Sequence, residues 1–111
     1  MKKRDRILEN LRRVYKYFND TYFNDQLRCS VTFAKINDDG STQLMSDGST
    51  LIKIHKDFRK HSDAAAIILL HEMVHVKLNQ DNYKDTEKGH GLRFHAEIDR
   101  LYREGAYSLL L

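Results

Sequence analysis

Residues 64–70 read Ala-Ala-Ala-Ile-Ile-Leu-Leu, and the segment they open stays largely apolar as far as Leu78. At 3.6 residues per turn, such a run is apolar on nearly every side of a helix, so other elements must cover it all round. Ser62 or Asp63 can cap its start, which predicts a buried helix from there to about Leu78. A chain of 111 residues has length for one such core and none for a second. The expectation is a single domain over residues 1–111, built around this helix.

The covering elements are legible on both sides. From Arg4 to Phe18, Ile7, Leu8, Leu11, Val14, Tyr15 and Phe18 recur at helical spacing, predicting an amphipathic helix that runs on toward Tyr22 and Phe23. Tyr15, Tyr17, Phe18, Tyr22 and Phe23 are expected in the core. In residues 28–36, Cys29, Val31 and Phe33 alternate with polar or small residues, the period of a half-buried strand. Asn37-Asp38-Asp39-Gly40 and Asp47-Gly48 are turn chemistry, and the apolar stretches between and after them suggest a meander of about three strands. Polar residues 79–91 read as a loop ending in Gly89-His90-Gly91. A third helix follows from about Leu92 to Glu104, with Phe94, Ile98, Leu101 and Tyr102 on one face. Residues 106–111 end in three leucines and either dock as a short strand or helical turn, or mark a chain cut short. Together these elements define an α+β fold.

Composition narrows the function classes. No run approaches the ~18 apolar residues of a membrane span, and the Met-Lys-Lys-Arg-Asp start leads into an amphipathic segment rather than a signal-peptide core. The expectation is a soluble, unsecreted protein with no membrane partner. A single cysteine, Cys29, can form neither an internal disulfide nor a Cys-type metal site, which fits a reducing compartment such as the cytoplasm. Any metal must be held by His or carboxylate. Residues 1–16 carry seven basic side chains against Asp5 and Glu9, so the first helix could lie on DNA or another acidic partner; the bland reading is a solvated face.

His71-Glu72-Met73-Val74-His75 is an HExxH motif inside the predicted buried helix. Successive residues turn by ~100°, so His71 and His75 project within ~40° of each other and can share one cation. Glu72 projects ~60° beyond His75, close enough to lean over a metal-bound water without being a ligand. A catalytic zinc site usually has three protein ligands. His90, His95, Glu97 and Glu87 are the candidates for the third, and His90 is favoured because flanking glycines let its backbone turn back toward the metal helix. His55 and His61 read as surface residues, with His55 near enough a strand end to line a cleft, and Leu51–Ile54 as a candidate cleft-edge strand for an extended substrate.

The HExxH, the Gly89-His90-Gly91-Leu92-Arg93-Phe94 element fifteen residues after His75, and Tyr17-Phe18-Asn19-Asp20-Thr21-Tyr22-Phe23 followed by Leu27 resemble the SprT-like zinc metalloproteases. That group includes a DNA–protein-crosslink protease. The resemblance covers roughly residues 10–105. It implies a minimal zincin-like domain with an N-terminal helix, a small three-stranded sheet, the metal helix and a C-terminal helix. It also implies Zn2+ on His71, His75 and His90, Glu72 as general base, a protein or peptide substrate, and a role in crosslink repair. Many members carry a Cys-rich zinc ribbon, absent here, so DNA contact would fall to the basic first helix and to Lys53, Lys56, Arg59 and Lys60. His95, Tyr83 and Tyr107 are candidates for a second oxyanion donor. A metal-holding adaptor without catalysis is the alternative reading, expected if Glu97 or His95 closes the site as a fourth ligand.

Overall fold

The computed structural model describes residues 4–81 and 90–108. The apolar segment forms α2, Ser62–Gln80, a helix in contact with the N-terminal helix α1 (Arg6–Tyr22), with the C-terminal helix α3 (Leu92–Arg103) and with the sheet. Leu69, Leu70, Met73 and Val74 are fully buried along it. His61 occupies the cap position of α2 and no side-chain oxygen bonds its first turn, so the expected Ser62 or Asp63 cap is not made. Asp63 still places a negative charge in that turn, where the helix dipole favours it.

The sheet contains β1 (Cys29–Ala34), β2 (Gly40–Leu44) and β3 (Thr50–His55) in the order β1-β3-β2. The three strands agree with the sequence expectation, whereas the meander does not. β3 lies in the middle, parallel to β1 from the Cys29–Thr50 pair to the Ala34–His55 pair, and antiparallel to β2. Alternation reports which face a side chain takes and says nothing about which strand lies beside it. What selects the centre is apolar content: Ile52 and Ile54 are completely buried in β3, while β2 reads Gly-Ser-Thr-Gln-Leu and suits an edge. The exposed edge nearest α2 is therefore β2, and the expectation of a cleft-edge strand at Leu51–Ile54 is corrected to Gly40–Leu44.

Residues 35–39 carry the chain from β1 across the end of β3, where the His55 N–H bonds the Asp39 carbonyl at 2.8 Å. The β2–β3 hairpin closes as its turn chemistry requires. Asp47 Oδ1 accepts from the Ser49 N–H and hydroxyl, and Gly48 takes φ of +89°, a conformation that favours glycine. His55 Nδ1 accepts from the Asp57 N–H and so caps a 3-10 turn at Lys56–Phe58, rather than facing a cleft.

The N-terminal helix is capped by Asp5, which accepts the Leu8 N–H and also meets the Arg59 guanidinium at 3.0 and 3.1 Å, tying the start of α1 to the segment before α2. Leu11 and Phe18 are buried, Tyr15 and Tyr22 pack against the core, and Phe23 is nearly sealed. Tyr17 departs from expectation: it is 52% exposed, with its ring set against Phe18 and Tyr22. Tyr102 of α3 is likewise 64% exposed, although Phe94 and Leu101 on the same helix are buried as expected. A helical period marks a broad stripe, and residues at its margins reach solvent when the neighbouring element is short. Residues 104–108 form turns with Ala106 buried; the remaining leucines and most of the expected 79–91 loop lie outside the described residues.

One buried amide fixes the exit from α1. Asn19 accepts the Leu27 N–H at 3.1 Å and donates to the Leu27 carbonyl at 3.0 Å, while the Tyr15 hydroxyl also serves that carbonyl and receives the Cys29 N–H. Asn24 and Asp25 between them adopt positive φ, which Asn and Asp tolerate better than most residues. Replacing Asn19 with Ala removes the partner of the Leu27 N–H in the interior and leaves the Leu27 carbonyl with the Tyr15 hydroxyl alone. It is expected to lower the free energy of unfolding by about 2–3 kcal/mol in urea titrations; a loss under about 0.5 kcal/mol, the level of an ordinary surface change, would show that the bridge is not what holds this corner.

Candidate metal centre

Three imidazoles converge. His71 and His75 lie one turn apart on α2, and His90 immediately precedes Gly91, which caps α3 in an extended conformation. Their Nε2 atoms are 3.3 Å apart for His71 and His75, 3.1 Å for His71 and His90, and 3.2 Å for His75 and His90. The Phe94 ring, buried in the first turn of α3, contacts all three imidazoles at centroid distances of 4.8, 4.7 and 4.8 Å. That packing limits the rotamers of the rings and aims their nitrogens at one point.

The donor set fits a metal ion. Tetrahedral coordination at nitrogen distances of about 2.0–2.1 Å requires neighbouring donors to be about 3.3–3.4 Å apart, close to the separations seen. Three ring nitrogens at such range cannot all be satisfied by hydrogen bonds to one another, because a neutral imidazole has a single donor and a single acceptor. Partial burial, and then the neighbouring His90, hold His71 below its ordinary range, keeping it in the neutral form that can ligate a cation. Among the described residues, these three histidines form the one cluster of potential metal ligands.

Glu72 is also on α2 but turned toward the sheet. It is 7% exposed, with its Oε2 4.0 Å from His71 Nε2. Burial, reinforced by the charge of Asp38, pushes its carboxyl up to about 7. Gly40, at the start of β2, makes this approach possible. A β-carbon there would stand 2.7 Å from Ile68 Cγ2 and 3.1 Å from Glu72 Cγ, closer than side chains normally pack. The histidines, Glu72, Asp38, Asp39 and Gly40 line a cleft of about 520 Å³.

The sequence profile of the SprT-like family matches residues 11–107, from the middle of α1 past the end of α3. The chain belongs to the SprT-like family. No curated protein matches it. The three-histidine arrangement on a small α+β frame is zincin-like, as this family would have it.

The other candidates fall elsewhere. Glu97 is engaged by the Arg100 guanidinium, and His95 sits against the outer edge of Phe94 in an adjoining pocket that Tyr107 also borders. His61 precedes α2. Glu87 and Tyr83 lie outside the described residues. Sequence reasoning treated Asp38–Gly40 as turn chemistry only; nothing local signals that this turn faces Glu72, because the contact is long-range. Helical periodicity puts Phe94 on the apolar face of the third helix, but its place behind the three rings emerges only from the packing of α3 on α2.

Two outcomes follow for this SprT-like chain. His90→Ala should reduce bound metal sharply from about one ion per chain, read by elemental analysis after purification without chelator; full retention would mean that His90 is not a ligand. Gly40→Ala should lower stability by about 1–3 kcal/mol as Ile68 and Glu72 are forced apart, while metal content holds. Unchanged urea midpoints would show that those side chains give way freely.

Proposed function

We propose that this SprT-like chain is a zinc-dependent endopeptidase acting on exposed or unfolded polypeptide segments, including proteins attached or crosslinked to DNA. The observation that carries the reading is Glu72: a carboxylate buried beside the three-histidine cluster, poised near neutrality, and opening onto the same cleft. Three histidines are a recurrent ligand set of catalytic zinc, and other divalent ions fit them less typically. The ion would supply Lewis acidity, making water a nucleophile near neutral pH and polarising the carbonyl under attack.

Glu72 performs the proton transfer. Its carboxylate takes the proton of the attacking water and delivers it to the leaving amine, work suited to a group whose pKa lies close to the operating pH. His71, His75 and His90 are held by Phe94, so they need little rearrangement on binding a cation. β2 begins at the cleft with Gly40 and has an open edge, which can receive an extended peptide by main-chain hydrogen bonds.

The adaptor reading requires a further protein ligand to close the site. The Arg100 contact to Glu97 and the place of His95 in the adjoining pocket both favour the catalytic reading. DNA is the proposed second partner, met by exposed Arg6 and Arg13, two turns apart on α1; Arg12 is occupied with the Val31 carbonyl and Arg4 with Glu9. Such work would place the protein in the cytoplasm, or with the nucleoid or nucleus. Among the described residues, no helix is long and apolar enough to cross a membrane.

Glu72→Gln tests the proposal, because it keeps the shape of the side chain and removes its basicity. The variant should bind metal as wild type does and cleave an unfolded protein substrate about 10²–10⁴-fold more slowly. Undiminished cleavage would sink the assignment of Glu72 as base.

A further inference from the structure

A second cavity adjoins the metal cleft on the far side of His71. It measures about 430 Å³ and is lined by Ile67, His71, Phe94, His95, Ile98, Tyr102 and Tyr107. Ile67 and His71 belong to both cavities, so they form the partition between them. The walls are chemically one-sided: two isoleucines, the buried Phe94 ring and two tyrosines, with polar atoms confined to hydroxyls and imidazoles. Pockets of a few hundred Å³ with apolar, aromatic walls and few polar groups are what side chains of that character occupy. Tyr107 is packed against the core, and burial raises its hydroxyl pKa above the ordinary value, so it presents a neutral ring and hydroxyl.

We propose that this pocket takes a large apolar or aromatic side chain of the substrate, at the residue beside the bond cleaved. The inference rests on the endopeptidase reading above and adds a substrate preference to it. The partition is the reason for choosing this occupant. A polypeptide whose scissile carbonyl reaches the three histidines has its adjacent side chain within one residue's span of His71, and the pocket opens there. Burying such a side chain removes enough apolar surface to discriminate against a small or charged one by about ten-fold or more.

Two measurements test this. Zinc-supplied protein is incubated with a degenerate peptide library, and the cleaved bonds are mapped by mass spectrometry. Enrichment of Phe, Tyr, Leu or Met at one position flanking the bond is expected. Ile98→Arg, which places a charge in the pocket, should reduce cleavage at those bonds by about ten-fold relative to bonds flanked by small residues. Tyr102→Ala, at an exposed rim position that the fold tolerates, should weaken the same preference in the same direction. Independently of activity, the metal-free Glu72→Gln protein is titrated with a capped pentapeptide of alanines carrying a central Phe, and with its central-Gly counterpart. NMR shifts at Ile98, Tyr102 and Tyr107 with the Phe peptide alone are expected. Cleavage without enrichment, or equal shifts with both peptides, overturns the pocket assignment and leaves the endopeptidase standing. A complete lack of cleavage overturns both.

Discussion

Everything in this molecule is arranged around the burial of α2. A helix apolar on most of its circumference cannot lie at a surface, and here it contacts α1, α3, β2, β3 and the 3-10 turn. Covering it settles where those elements go. It also has a chemical consequence, since Glu72, a residue type that strongly prefers water, is carried inside with its neighbours. The protein tolerates that carboxyl because it lies at the floor of a cleft and its ionisation is shifted toward neutrality, which softens the cost of burying charge.

The metal centre shows two scales of organisation. Within α2, spacing alone brings His71 and His75 to one face. The third imidazole comes from a different element, and its place depends on α3 docking through Phe94, whose ring touches all three histidines. The opposite wall is backbone: the chain passes Glu72 at Gly40 with no room for a side chain. Aromatic packing on one side and bare backbone on the other leave the centre with few ways to rearrange.

Much of this was legible beforehand, for reasons that differ from element to element. The amphipathic stripe of α1 and the apolar run of α2 are strong periodic signals over many residues, and both helices appear within a turn or two of their expected bounds. The exposed Tyr17 and Tyr102 were misjudged because periodicity gives a direction but not the extent of the neighbour lying there. The meander failed for a similar reason: alternation in Cys29, Val31 and Phe33 assigns faces, and the parallel partner of β1 is a strand that follows only after β2. Gly40 and Asp38 were read as parts of a turn, since a local motif carries no mark of what crosses it from a distant segment.

The sequence by itself determined the buried helix, the HExxH pair and its neighbouring carboxylate, and the glycine-flanked histidine as the favoured third member. These follow from the helical repeat and the chemistry of side chains, which act over a few residues. Only the tertiary structure decided that β3 is central and β2 the open edge, that Gly40 rather than any neighbour admits Glu72, and that Phe94 stands behind the three imidazoles. Those facts rest on contacts between segments far apart in the chain, and such contacts are selected by how the whole set of apolar faces can close over α2 together.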